Sequence, residues 1–94
     1  MSTAYIGEKH KDPNAVLDYC LDWSEWLASG ETITTSVWTV ATGITKDSDT
    51  HTDEITKIWL SGGTDGERYT VANRITTSDS RTDERTMLII VGHR

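Results

Sequence analysis

The sequence predicts an all-β domain, a sandwich of six to seven antiparallel strands. Three observations carry this. Sixteen of the 94 residues are threonine, accompanied by Val, Ile, Trp and Tyr, and such residues suit a pleated, half-buried surface. Apolar and polar residues alternate at period two through several runs. Turn signals recur at intervals of roughly 8–12 residues, the spacing of short strands in a sandwich. A chain of this length makes one domain, divided here into an N-terminal arm, 1–12, and a sandwich, 13–94. A domain this small buries only about 60–65% of its unfolded surface, so partners or repeated copies add to its stability.

The elements follow in order. Asp12-Pro13-Asn14 is a turn, because proline disfavours helical geometry at the residue before it. In residues 16–23, Leu17, Tyr19, Leu21 and Trp23 fall on one face and Asp18, Cys20 and Asp22 on the other. A helix would splay Tyr19 and Trp23 away from Leu17 and Leu21, so a strand is expected, closed by a tight turn at residues 24–27. Residues 31–40 form the second strand. Its pattern shifts partway, with Ile33, Thr35 and Val37 on one face and Trp38 and Val40 on the other, and a bulge near Ser36 or Val37 reconciles them. A short strand at residues 44–46 precedes a polar loop at 47–53. Residues 54–61 alternate Thr56, Ile58 and Leu60 against Ile55, Lys57 and Trp59. After the turn Gly62-Gly63-Thr64-Asp65-Gly66, residues 67–78 place Tyr69, Val71, Asn73, Ile75 and Thr77 on one face. A hairpin loop at 79–83 leads into the last strand, 84–91. One detail narrows the class. Asp65 precedes Tyr69 by four residues and Val71 follows it by two, which resembles the tyrosine corner of immunoglobulin-like domains. An immunoglobulin-like β-sandwich is therefore expected, with Val71 where such domains carry a cysteine.

Composition limits the chemistry. The formal net charge is −6, with nine Lys and Arg, too few for a general phosphate-neutralising face. Arg81, Arg85 and Arg94 are the candidates for a small basic patch, and no nucleic acid is expected as a partner. The longest apolar run, residues 87–91, is too short to span a bilayer, and the first residues lack the apolar core of a signal peptide. No membrane partner is expected. The single Cys20 cannot form an intrachain disulfide and fits a reducing cytosol. His10, His51 and His93 lack metal-ligand spacing among themselves or with Cys20. The acidic residues Asp47, Asp49, Asp53 and Glu54 lack the glycine and spacing of a calcium loop, and a solvated loop is expected. Asp18 and Asp22 flank Cys20 with negative charge, the wrong sign to support a thiolate nucleophile. No cofactor and no catalytic residue are assigned, and the chain is not expected to be an enzyme. Four tryptophans are many for this length. Trp38 or Trp59 suits the space between the sheets. Trp23 and Trp26, three apart, cannot share one strand face, so one of them suits a rim, where aromatics favour interfaces.

Several segments together, spanning residues 11–91, resemble a family. They are Lys11-Asp12-Pro13, Val16-Leu17-Asp18-Tyr19, Asp22-Trp23-Ser24 with Trp26-Leu27, Val37-Trp38-Thr39-Val40, Ile58-Trp59-Leu60-Ser61-Gly62-Gly63, Gly66-Glu67 with Tyr69, and Arg81-Thr82-Asp83-Glu84-Arg85. The combination resembles small virion-associated proteins of tailed bacteriophages, of the fiber-tail adaptor or related tail and neck accessory type. The resemblance implies an immunoglobulin-like fold, a structural role and a place in the virion, with assembly in the host cytoplasm. It also implies other tail, neck and fiber proteins, and copies of the chain in a ring, as partners. The expected contact residues are Tyr5 in the arm, Asp18, Asp22, Trp23 and Trp26, and the charged loop of Arg81, Asp83 and Arg85. Capsid decoration is an alternative use of the same fold. A carbohydrate-binding module with Trp59 and Trp38 in an exposed row is a third.

Overall fold

The computed structural model describes residues 5–92, with side chains from Lys9 onward. Among them seven strands form: β1 (Tyr5–Lys11), β2 (Leu17–Asp22), β3 (Ile33–Val40), β4 (Ile44–His51), β5 (Ile55–Gly62), β6 (Arg68–Thr77) and β7 (Thr82–Val91). They make a β-sandwich of two sheets, ordered β1-β7-β6-β3 and β2-β5-β4. All neighbours are antiparallel except β1, which runs parallel to β7. The segment expected as an arm thus contributes a strand to the larger sheet from Tyr5 to Lys11.

Period-two alternation decides what the sheets bury. Tyr19 and Leu21 of β2 and Ile58 and Leu60 of β5 face Val71 and Ile75 of β6 and Met87, Ile89 and Val91 of β7 in one core. Burying an aliphatic side chain of this size contributes roughly 1.5–3 kcal/mol, so these rows hold the sheets together. Asp18, Cys20 and Asp22 are exposed on the outer face of β2, as the alternation requires.

Two elements differ from expectation. The polar run 47–53 is mostly strand: β4 continues to His51, with a register shift between Lys46 and Ser48. Only Ile44 of β4 is buried. An edge strand paired on one side and solvated on the other shows no apolar alternation, so its sequence resembles a loop. In β3 the register shifts between Ile33 and Thr35, earlier than the expected bulge. Ile33 and Trp38 are buried, while Thr35 and Val37 face outward. The bulge lies at Thr34 because one extra residue there lets both Ile33 and Trp38 reach the core.

Tyr69 fixes the corner between β5 and β6. Its hydroxyl accepts a hydrogen bond from the Thr64 N–H at 2.9 Å. Gly43 and Gly63, at φ 106° and 94°, let the chain pass close by. A Cβ on Gly43 would lie 2.8 Å from the Tyr69 ring, and one on Gly63 2.8 Å from Val91. At the same end Lys11 is fully buried, and its Nζ donates to the Gly62 carbonyl at 2.7 Å and the Asp12 carbonyl at 3.0 Å. Burial pushes its pKa down, against the nearby Asp12 and Asp47 charges.

Candidate functional site

The opposite end of the sandwich gathers three connections: residues 23–32 between β2 and β3, 52–54 between β4 and β5, and 78–81 between β6 and β7. Backbone bonds tie them together. Trp23 N–H donates to Glu54 O and Ile33 N–H to Asp53 O, both at 2.9 Å, and Ser78 N–H donates to Thr32 O at 2.8 Å. A tight turn follows β2, with Trp26 N–H and Leu27 N–H both donating to the Trp23 carbonyl. That turn sends Trp23 inward and leaves Trp26 half-buried above it.

Trp23 is fully buried. Its Nε1 donates to Asn73 Oδ1 at 3.2 Å and Thr56 Oγ1 at 3.3 Å. Thr56 Oγ1 donates to Asn73 Oδ1 at 2.7 Å, and Asn73 Nδ2 donates to Ser36 Oγ and the Val37 carbonyl. The buried amide therefore uses both its donors and its acceptor, as a polar group inside a sandwich must to avoid an uncompensated desolvation cost.

A stack rises from this base. Trp26 meets Trp23 edge-on, with ring centroids 5.7 Å apart and planes at 72°. The Arg85 guanidinium lies 4.1 Å over the Trp23 ring and that of Arg81 4.1 Å over Trp26. Such cation–π contacts contribute about 0.5–2 kcal/mol each. Arg85 Nη1 also donates to the Asp22 carbonyl at 3.1 Å. Arg81 forms a two-point pair with Glu31, through Nε to Oε2 at 2.9 Å and Nη2 to Oε1. The buried Glu31 carboxylate further accepts from Thr77 Oγ1 and Ala28 N–H. The Arg81 hydrogen bond, helped by those of Thr77 and Ala28, holds the Glu31 pKa down at about 2 against the effect of burial. The same bond to Glu31 raises the Arg81 pKa, with Asp79 and Asp83 adding to it. The Ser24 N–H, at 2.9 Å from Oδ1, lowers that of Asp22.

The structure brings together Asp22, Trp23, Trp26, Arg81 and Arg85 from the expected contact residues. Asp83 joins them through its charge on Arg81. Trp23 is fully buried and lies beneath Trp26 and Arg85. Asp18 lies elsewhere, on the outer face of β2, 3.8 Å from Lys57 Nζ. Tyr5 pairs by backbone register with Thr86, beside Arg85; its side chain, like Arg94 and His93, lies outside the described residues. Trp38 is buried and Trp59 is exposed on the other sheet, so they form no row. The structure adds Glu31 and Asn73 to the loop-end group. A polar Asn inside the inward row of β6 is a visible signal, whereas nothing near Glu31 in sequence points to its partner fifty residues away.

Among the described residues no pocket opens, and no three of His, Cys, Asp and Glu converge as metal ligands do. Fold and site together define a small β-sandwich whose most elaborated feature is a braced surface of aromatic and guanidinium groups. The chain belongs to the family of the podophage GP4 fiber-tail adaptor protein gp77, whose model matches residues 11–90. Membership makes it a bacteriophage tail structural protein and supports a tail-fiber adaptor role in the virion. A search of curated proteins gives no match.

Proposed function

We propose that the chain is a multi-copy adaptor joining the phage tail or neck to its fibers through protein–protein contacts, and that the braced loop end is one contact surface. The observation that carries this is the Arg85–Trp23–Trp26–Arg81 stack. Its exposed groups are already held in place, so a partner orders few side chains on docking. Aromatic and arginine side chains of this kind dominate binding energy at interfaces. The alternation of Arg81, Asp83, Glu84 and Arg85 suits a contact that sets register by charge. Repeated copies in a ring multiply single contacts of modest strength into firm attachment. Residues 1–12, with Tyr5, and the outward Asp18 extend the proposed contact region. The net charge of −6 favours protein partners over nucleic acid. The order β2-β5-β4 against β3-β6-β7 supports the immunoglobulin-like relationship, since it follows the constant-type pairing; β1 departs from it by joining β7.

Complementation of phage lacking this protein tests the assignment. With the Trp26→Ala chain, the domain folds, because Trp26 is only half-buried, and particles lose their fibers. Fiber-bearing particles at native yield would remove the loop end from the contact.

A further inference from the structure

A sandwich of two open sheets has four edges, and three of them carry charge. β1 holds the exposed Lys9, β2 holds Asp18 and Asp22, and β4 holds Lys46, Asp47 and Asp49. Charges on an edge discourage strand addition. β3 is the exception. It lies within residues 32–45, the longest stretch of the chain without Asp, Glu, Lys, Arg or His. It contains neither proline nor glycine. Val37 is 57% exposed on its outer face.

The backbone of this edge is available. β3 pairs with β6 alone. The Ala41 N–H donates to Thr70 O at 3.0 Å, one step beyond the Val40–Val71 pair. Hydrogen-bonded positions alternate in an antiparallel ladder, so Thr35, Val37 and Thr39 turn their N–H and C=O groups toward β6. Asn73 Nδ2 reaches the Val37 carbonyl from that same side. Ser36, Trp38 and Val40 therefore turn theirs to the open side. The bulge at Thr34 leaves Thr35 to Val40 in unbroken register, long enough to take another strand.

The geometry points to a second copy of this chain as the occupant: two β3 edges pair antiparallel about a two-fold axis centred on Val37. Ser36 and Trp38 of each copy exchange N–H···O bonds with Trp38 and Ser36 of the other. Val37 meets its own counterpart in the close, non-bonded position, and Thr35 faces Thr39 across the seam, pairings that stabilise sheets. Charge selects this occupant. Copies of net charge −6 repel one another on approach, and β3 is the one edge strand of the four that itself brings no charged side chain to the seam. The contact is isologous and closes after two copies, so it leaves the loop end free and does not depend on what that end binds.

Sedimentation of the full chain tests it. The native protein forms a concentration-dependent two-copy species. Val37→Lys, at an exposed site, sediments as a monomer that still unfolds cooperatively, with a midpoint that no longer depends on protein concentration. A β3-centred pair also places the two Val37 Cα atoms about 4.5 Å apart, within disulfide reach. Val37→Cys, with Cys20→Ser to remove the exposed native thiol, therefore oxidises to a covalent dimer. A native chain that stays monomeric at every concentration, a dimer that survives Val37→Lys, or a cysteine variant that remains a free thiol would each overturn the proposal.

Discussion

Glu31 shows how much one side chain can organise at the loop end. It is buried, yet Arg81, Thr77 and Ala28 together keep its carboxylate ionised. Its folded pKa, about 2, lies below the ordinary 4.5. Linkage then gives a definite sign. The stabilisation from this group is fully present above about pH 4.5 and is lost as pH falls toward about 2. Glu31→Gln removes it. The gap in unfolding midpoint between native chain and variant should be widest near neutral pH and should shrink through that window. A gap that stays constant from neutral pH to pH 2 would contradict the carboxylate's role. The tryptophans divide on the same local grounds. The alternation Leu17, Tyr19, Leu21, Trp23 was legible in the sequence and placed Trp23 on the inward face. Whether Trp23 or Trp26 stayed inside was not legible. That choice rests on Asn73 and Thr56, fifty and thirty-three residues away, which supply the acceptors for a buried indole.

Among the elements, those with one face in the core were readable and the solvated edge was not. β5 and β6 match their expected faces residue by residue because burial imposes period two on the sequence. β4 buries only Ile44, so nothing forces its remaining residues to alternate, and its Asp and Ser content reads as a loop. The corner between β5 and β6 was legible for a different reason: it needs glycines at positive φ and a tyrosine at a fixed distance, and both leave marks in sequence. Its energetic share can be checked. Tyr69→Phe keeps the ring against Gly43 and Gly63 and removes the acceptor of the Thr64 N–H. One hydrogen bond of this kind contributes about 0.5–1.5 kcal/mol, so denaturant unfolding should report a loss in that range with an unchanged slope. No measurable loss would mean that packing alone holds the corner.

Taken whole, the molecule separates its tasks by place. One end, with Tyr69 and the buried Lys11, closes the sandwich. The other end presents Trp26, Arg81 and Arg85 on a base of Trp23 and Asn73. The edge of β3 is the uncharged strand between them. The outline of this arrangement was in the sequence, since Trp23, Trp26, Arg81 and Arg85 were all singled out there. Their convergence was not, because it depends on β2 and β7 lying in different sheets whose loops meet at one end. An adaptor must occupy one particular place in the particle, and cryo-electron microscopy of assembled virions reads that place directly. The sandwich should appear between tail and fiber, with the 23–32 and 78–81 loops against a neighbouring protein. Virions without the chain, or density for it on the capsid face alone, would contradict the adaptor role.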